Sequence, residues 1–113
     1  MNISKVTDEV IEFDNGNKIT YDHDADCCED NYADFSILNE NHVNYNVDFD
    51  TELTFDFIDG MGFRFGSKDK WGDFRWIFIP CYSEQNGYYT DEIDIYYNGE
   101  RVLTGACEEH TGF

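Results

Sequence analysis

From Val43 to Phe57 the chain alternates between apolar and polar residues almost without fault. Val43, Tyr45, Val47, Phe49, Leu53, Phe55 and Phe57 hold one parity, and Asn, Asp, Glu or Thr hold the other. A period of two describes a strand with one face buried. Fifteen residues in one strand would span about 50 Å, too long for a domain of this size, so the pattern predicts a bend near Asp50-Thr51. Four dipeptides that favour tight turns, Asn15-Gly16, Asp59-Gly60, Asn86-Gly87 and Asn98-Gly99, are each flanked by runs of β-branched and aromatic residues and predict hairpins.

A two-residue loop at Asn98-Gly99 sets Tyr97 opposite Glu100, Ile95 opposite Val102 and Ile93 opposite Thr104, which places Ile93, Ile95 and Val102 on the core face. At Asp59-Gly60 a strict two-residue loop would set Phe55 against Arg64. A three- or five-residue connection pairs Phe57 with Phe63 and Phe55 with Phe65 instead, and is preferred. No window sustains a 3.6-residue period, apart from a short turn of helix over Cys27 to Phe35. The chain reads as all-β: an antiparallel meander of about seven or eight short strands forming a sandwich or partly open barrel, with at most one short helix.

Composition agrees with one domain over residues 1–113 and an aromatic core. Ten Phe, eight Tyr and two Trp supply 18% of the chain, and such residues pack well on pleated faces. Charge changes the picture. The net value is −18, from 25 acidic residues against seven basic ones, so the folded state repels itself and direct nucleic-acid binding is disfavoured. Partners should present basic surfaces. The start, MNISKVTDEV, has no apolar run of the signal-peptide kind, and no segment approaches the length of a membrane span, so a cytoplasmic protein is expected. In that compartment Cys27, Cys28, Cys81 and Cys107 should be thiols.

Residues 22 to 30, DHDADCCED, gather every common metal-ligating side chain. Asp22, Asp24 and Asp26 match the first, third and fifth positions of an EF-hand loop, but Cys27 stands where glycine is needed and Ala33 where a bidentate glutamate is needed. For zinc, His23 and Cys27 can be joined with Cys107 and His110 as two local pairs, outside the usual C-x2-C spacing. For nucleophilic catalysis, Cys27 or Cys28 could be served by His23 or His110. Six acids between Asp22 and Asp34 oppose this, because they disfavour a thiolate. Neither a Gly-rich phosphate loop nor a hydrolase or metalloprotease motif is present, and neither an enzyme nor a bound cofactor is expected. The reading set against these is a structural corner, with one thiol tucked beneath the sheet and Asp24 and Asp26 accepting backbone N–H bonds.

The block His23-Asp24-Ala25-Asp26-Cys27-Cys28-Glu29 with Tyr32, followed by Tyr82-Ser83-Glu84-Gln85-Asn86-Gly87-Tyr88-Tyr89, resembles an uncharacterised family of small domains of unknown function from bacteriophage and bacterial genomes. In that family an H-D-x-D-C-C-E block follows an opening hairpin and an E-x-N-G-Y-Y block precedes the last strands. The resemblance covers the chain to about Ile95. It departs at Cys81 and Ser83, where Trp and Gly are expected, and at the C-terminal extension from Asn98, which holds Cys107 and His110. It implies a phage or mobile-element context and no activity.

Two functions follow. One is an acidic binding protein, phage-encoded, that inhibits a host nucleic-acid-binding protein as anti-CRISPR proteins and other DNA mimics do; the other is a zinc module or a structural phage protein. A 13.3 kDa chain exposes about 6,400 Å², about 360 Å² per net charge, whereas B-DNA carries one per about 110 Å². Mimicry therefore needs concentrated acids. Arg64, Lys68, Lys70 and Arg75 fall within GMGFRFGSKDKWGDFR, and residues 22 to 59 hold no Lys or Arg. The expected partner contacts are Asp22, Asp24, Asp26, Asp30, Asp34, Asp48, Asp50 and Asp56, a set that would equally serve as a solvated face. Trp71 and Tyr88-Tyr89 are the aromatic alternative.

Overall fold

The structure, a computed structural model, describes residues 1–22, 30–40, 47–69, 71–84 and 92–110. Within them lie ten strands: β1 (Ile3–Val6), β2 (Val10–Phe13), β3 (Lys18–Asp22), β4 (Asp30–Ala33), β5 (Thr54–Ile58), β6 (Gly62–Lys68), β7 (Phe74–Glu84), β8 (Glu92–Tyr97), β9 (Glu100–Ala106) and β10 (Glu108–His110). One four-residue helix, α1 (Ile37–Glu40), accompanies them. The first sheet has the order β1-β2-β3-β8-β9; the second has the order β10-β7-β6-β5, with β4 also paired to β7. The all-β sandwich expected from the alternation is what forms, and its core lies between the two sheets.

Inward side chains explain the layering. Ile11 and Phe13 of β2, Ile19 of β3 and Ile93 and Ile95 of β8 are buried against Phe63 and Phe65 of β6 and Ile77 and Ile79 of β7. The sheets also touch at an edge. Gly60 N–H donates to the Ala106 carbonyl at 2.9 Å, Ala106 N–H donates to Asp59 Oδ1 at 3.2 Å, and Gly105 lies against the Phe57 ring. Elsewhere a buried polar bridge joins the layers: the Ser83 hydroxyl donates to Asn31 Oδ1, and Asn31 Nδ2 donates to the Glu92 carbonyl at 3.1 Å. Both side chains are fully buried, so each needs this partner to offset its desolvation.

Three hairpins form as expected, the first at Asn15-Gly16 joining β2 to β3 with Glu12 opposite Lys18. Asp59, Gly60 and Met61 make a three-residue connection that pairs Phe57 with Phe63 and Phe55 with Phe65. Asn98 and Gly99 make a two-residue loop with φ of 52° and 84°, the left-handed pair of a type I′ turn. Its register then departs from expectation. A bulge between Ile95 and Tyr96, with Val102 as the extra residue on β9, sets Ile95 opposite Leu103 and Ile93 opposite Gly105. One extra residue flips the following side chains, so Leu103 takes the inward place and Val102 is exposed.

Three further expectations are corrected. The helical turn sought over Cys27 to Phe35 is strand at 30–33, because those residues pair with the end of β7; the helix follows, where Asp34 Oδ1 accepts the Ser36 N–H at 3.2 Å. The arrangement is not wholly antiparallel, since β10 runs parallel to β7. Finally, residues 47–53 are not strand, although the bend near Thr51 is present. Phe49 is buried and exchanges backbone hydrogen bonds with Met1. Alternation there reports one buried face without a ladder. Asn86-Gly87 and residues 43–46 lie outside the described residues.

A β-carbon added at Gly105 would sit 2.2 Å from Phe57 Cδ1. We expect Gly105→Ala to cost about 1–3 kcal/mol in urea denaturation. The same change in a Phe57→Leu background should cost less, and equal costs in the two backgrounds would show that the contact is not the cause.

Candidate functional site

Asp22, at the end of β3, stands directly opposite Asp94 of β8. Both are on the outer face of the first sheet, because Ile19, Ile93 and Ile95 of the alternate parity are buried. Glu92 lies two residues along β8 on the same face and is exposed. Like charges directly opposite in a sheet are destabilising, and here the Thr104 hydroxyl donates to Asp94 Oδ1 at 2.6 Å. Asp24 and Asp26, which follow Asp22 in the sequence, lie outside the described residues.

The remaining expected contacts are placed elsewhere. Asp30 begins β4, opposite Glu84. Asp34 holds Ser36 in the turn before α1, and Asp48 Oδ1 accepts from the Met1 amine at 2.8 Å. Asp50 donates its N–H to Ser67 Oγ at 2.8 Å. Asp56 accepts from Arg64 Nε at 3.0 Å on the outer face of the second sheet, away from Asp22. The six described aspartates are therefore divided between the two sheets and their connections. Asp22 is joined instead by Glu92 and Asp94, which sequence reasoning missed because the β3–β8 pairing spans more than 70 positions.

The thiols meet in an unexpected pair. Parallel pairing of Glu108 with Tyr82 brings the preceding residues, Cys107 and Cys81, side by side; both are free and buried. The hydrogen bond with Cys107, followed by burial, pushes the Cys81 thiol far above the ordinary range, so it is a poor nucleophile. Among the described residues no group of three or more His, Cys, Asp or Glu could hold a metal. Of the zinc candidates, His23 and Cys27 lie outside the described residues, His110 ends β10, and the neighbour of Cys107 is Cys81. Cys28 also lies outside them, as does most of the DHDADCCED corner.

A third feature is aromatic. Along β7, Ile77, Ile79, Cys81 and Ser83 face inward and are buried, while Phe74, Trp76 and Phe78 point outward with 42%, 39% and 37% of their surface exposed. Trp76 is covered on one side by the Arg64 guanidinium, 4.1 Å from the ring centroid, and contacts Phe74 at 4.6 Å. Tyr82 continues the row beside Tyr32, with centroids 5.8 Å apart. Ahead of the row, Trp71 is 75% exposed on a loop organised by Asp69. One Asp69 oxygen accepts the N–H groups of Trp71 at 2.9 Å and Asp73 at 3.0 Å, and the other accepts Arg75 Nε at 3.0 Å. Desolvation raises the Asp69 pKa, but these donors, Arg75 first, outweigh it and hold the carboxyl below its usual value. The signal in the sequence was FRWIFIP, apolar at both parities, which describes a strand covered on both faces. Tyr88 and Tyr89 lie outside the described residues.

No family model, curated protein or solved structure matches the chain. Among the described residues no helix is long and apolar enough to cross a membrane.

Buried, protonated thiols react only when the fold opens. In a native thiol-reagent titration Cys81 and Cys107 should stay silent, leaving at most Cys27 and Cys28 to react quickly, and all four should appear in denaturant. Fast native labelling of all four would contradict the burial of the pair.

Proposed function

We propose that the chain is a non-enzymatic acidic binding protein that occupies a basic protein surface, with the outer end of the first sheet as its contact. The observation that carries this reading is the Asp22–Asp94 pairing with Glu92 beside it. A sheet that sets carboxylates opposite each other accepts a stability cost, and a basic partner would relieve it. Average charge would not suffice. The accessible surface of 6627 Å² over 18 net charges gives about 370 Å² per charge, against about 110 Å² on B-DNA. The reading therefore needs local concentration, and the Asp22–Asp94 pairing with Glu92 supports it. In the phage context implied by the resemblance, the target would be a host nucleic-acid-binding protein whose DNA or RNA site is covered, as by an anti-CRISPR or other DNA mimic.

The test is binding to a panel of basic DNA- and RNA-binding proteins with labelled nucleic acid as competitor. Affinity should be greatest at low salt and fall steeply as salt rises. Replacing Asp22, Asp24 and Asp26 together by Lys should slow association while the fold survives, since Asp22→Lys turns a repulsive cross-strand pair into an attractive one. Binding indifferent to both salt and the triple substitution would reduce the charge to a solubility device.

Stability of the free protein should move the other way. As the Debye length shrinks from about 30 Å at 0.01 M to about 8 Å at 0.15 M, self-repulsion is screened and the unfolding midpoint should rise. A midpoint that falls with sodium chloride would show that attractive ion pairs outweigh the net charge.

A further inference from the structure

Two buried thiols stand side by side where the chain crosses from one sheet to the other. Cys107 is the single residue between β9, the last strand of the first sheet, and β10, which pairs with β7 of the second. Register carries it to Cys81. The parallel ladder sets Glu108 beside Tyr82 and Glu109 beside Ser83, so one step earlier Cys107 falls beside Cys81. Glu108 is exposed, whereas Cys81 and Cys107, of the opposite parity, turn inward and are 0% and 1% exposed. Both backbones are fixed from one connection: Cys81 N–H donates to the Met61 carbonyl at 3.1 Å, and Ala106, next to Cys107, is bonded to Gly60 and Asp59. The thiols are hydrogen-bonded to each other. Neighbours across a parallel pair have Cα atoms about 4.8 Å apart, inside the range of about 4.4–6.8 Å that a disulfide spans.

We propose that Cys81 and Cys107 are a redox-dependent staple between the two sheets, reduced in the resting protein and closed to a disulfide when an oxidant of the glutathione-disulfide class is in excess. Other uses of a thiol are poorly served here. Among the described residues no group of three ligands could hold a metal, and both side chains are sealed from solvent, where no substrate reaches them. Two sulfurs in contact retain one reaction, oxidation to each other. Access comes from β10, whose three residues form a short ladder at the end of the sheet and open at a lower free energy than the core. In the open state the Cys107 thiolate attacks one sulfur of the oxidant, forming a mixed disulfide and releasing one thiol. Cys81, uncovered by the same movement, then attacks the Cys107 sulfur and expels the second thiol. The pair loses two electrons and two protons, and the oxidant takes up both as it becomes two thiols. The new bond closes a loop that contains β8 and β9, so it ties the first sheet covalently to β7 of the second. Nothing in this chemistry involves the acidic face.

The test is oxidation of the intact, folded chain with oxidised glutathione, read by mass spectrometry before and after dithiothreitol. Cys27→Ser with Cys28→Ser removes the other two thiols. The expected product is a monomer lighter by two hydrogens, with the peptides that hold Cys81 and Cys107 joined, and it should form slowly because each event waits for β10 to open. Its thermal midpoint should lie about 10 °C above that of the reduced protein, as a closed loop of this length predicts. Dithiothreitol should abolish the difference. Cys107→Ser should lose both the cross-link and the shift. If the variant lacking Cys27 and Cys28 fails to fold, peptide mapping of the oxidised, unsubstituted chain identifies the bonded pair directly. Glutathione adducts without a cross-link, a disulfide that leaves Cys81 or Cys107 reduced, thiols unchanged after prolonged exposure, or a cross-linked protein less stable than the reduced one overturns the inference, and the pair is then apolar packing alone.

Discussion

Two sheets are held together against the mutual repulsion of a strongly acidic chain by a cluster of three phenylalanines. Phe13 comes from the first sheet and Phe65 from the second, with ring centroids 6.3 Å apart and nearly perpendicular. Phe49 meets both, at 6.0 Å and 5.6 Å. Each such contact adds about 0.5–1.5 kcal/mol beyond the area it buries. The larger effect is positional, because Phe49 brings residues 47–53 onto the core without making them a strand. Tyr97 closes the same region: its hydroxyl donates to the Thr51 carbonyl at 2.9 Å and its ring lies 5.5 Å from Phe55. Screened surface charge acts over a Debye length, whereas these contacts act within a few ångströms, so a small aromatic core can tolerate a large net charge.

That division explains what could be read in the sequence. Features set by a few adjacent residues were legible: the Asn98-Gly99 turn, the three-residue connection after Ile58, and the parity that sends Phe55, Phe57, Phe63 and Phe65 inward. Features set by distant partners were not. The bulge that exposes Val102 follows from how β9 meets both β8 and the Phe57 ring at the sheet edge. Asp30–Ala33 is strand because the end of β7 offers it a ladder, and β10 pairs in parallel over only three residues, too few to leave a pattern. For the candidate site, the amount of acid was legible and its grouping was not. Asp22 meets Asp94 through a long-range pairing, while Asp34, Asp48 and Asp56 accept from Ser36, the Met1 amine and Arg64.

Strand β7 carries a conflict between its two faces. Three strands take hydrogen bonds from it, so it cannot be an edge, and its inward side chains are committed to the core. An outward row of aromatic rings has no folding role on that scale beyond covering Gly66 and the backbone around it. Arg64 on that face lies over Trp76 and pairs with Asp56, so one of only seven Lys and Arg is committed to it.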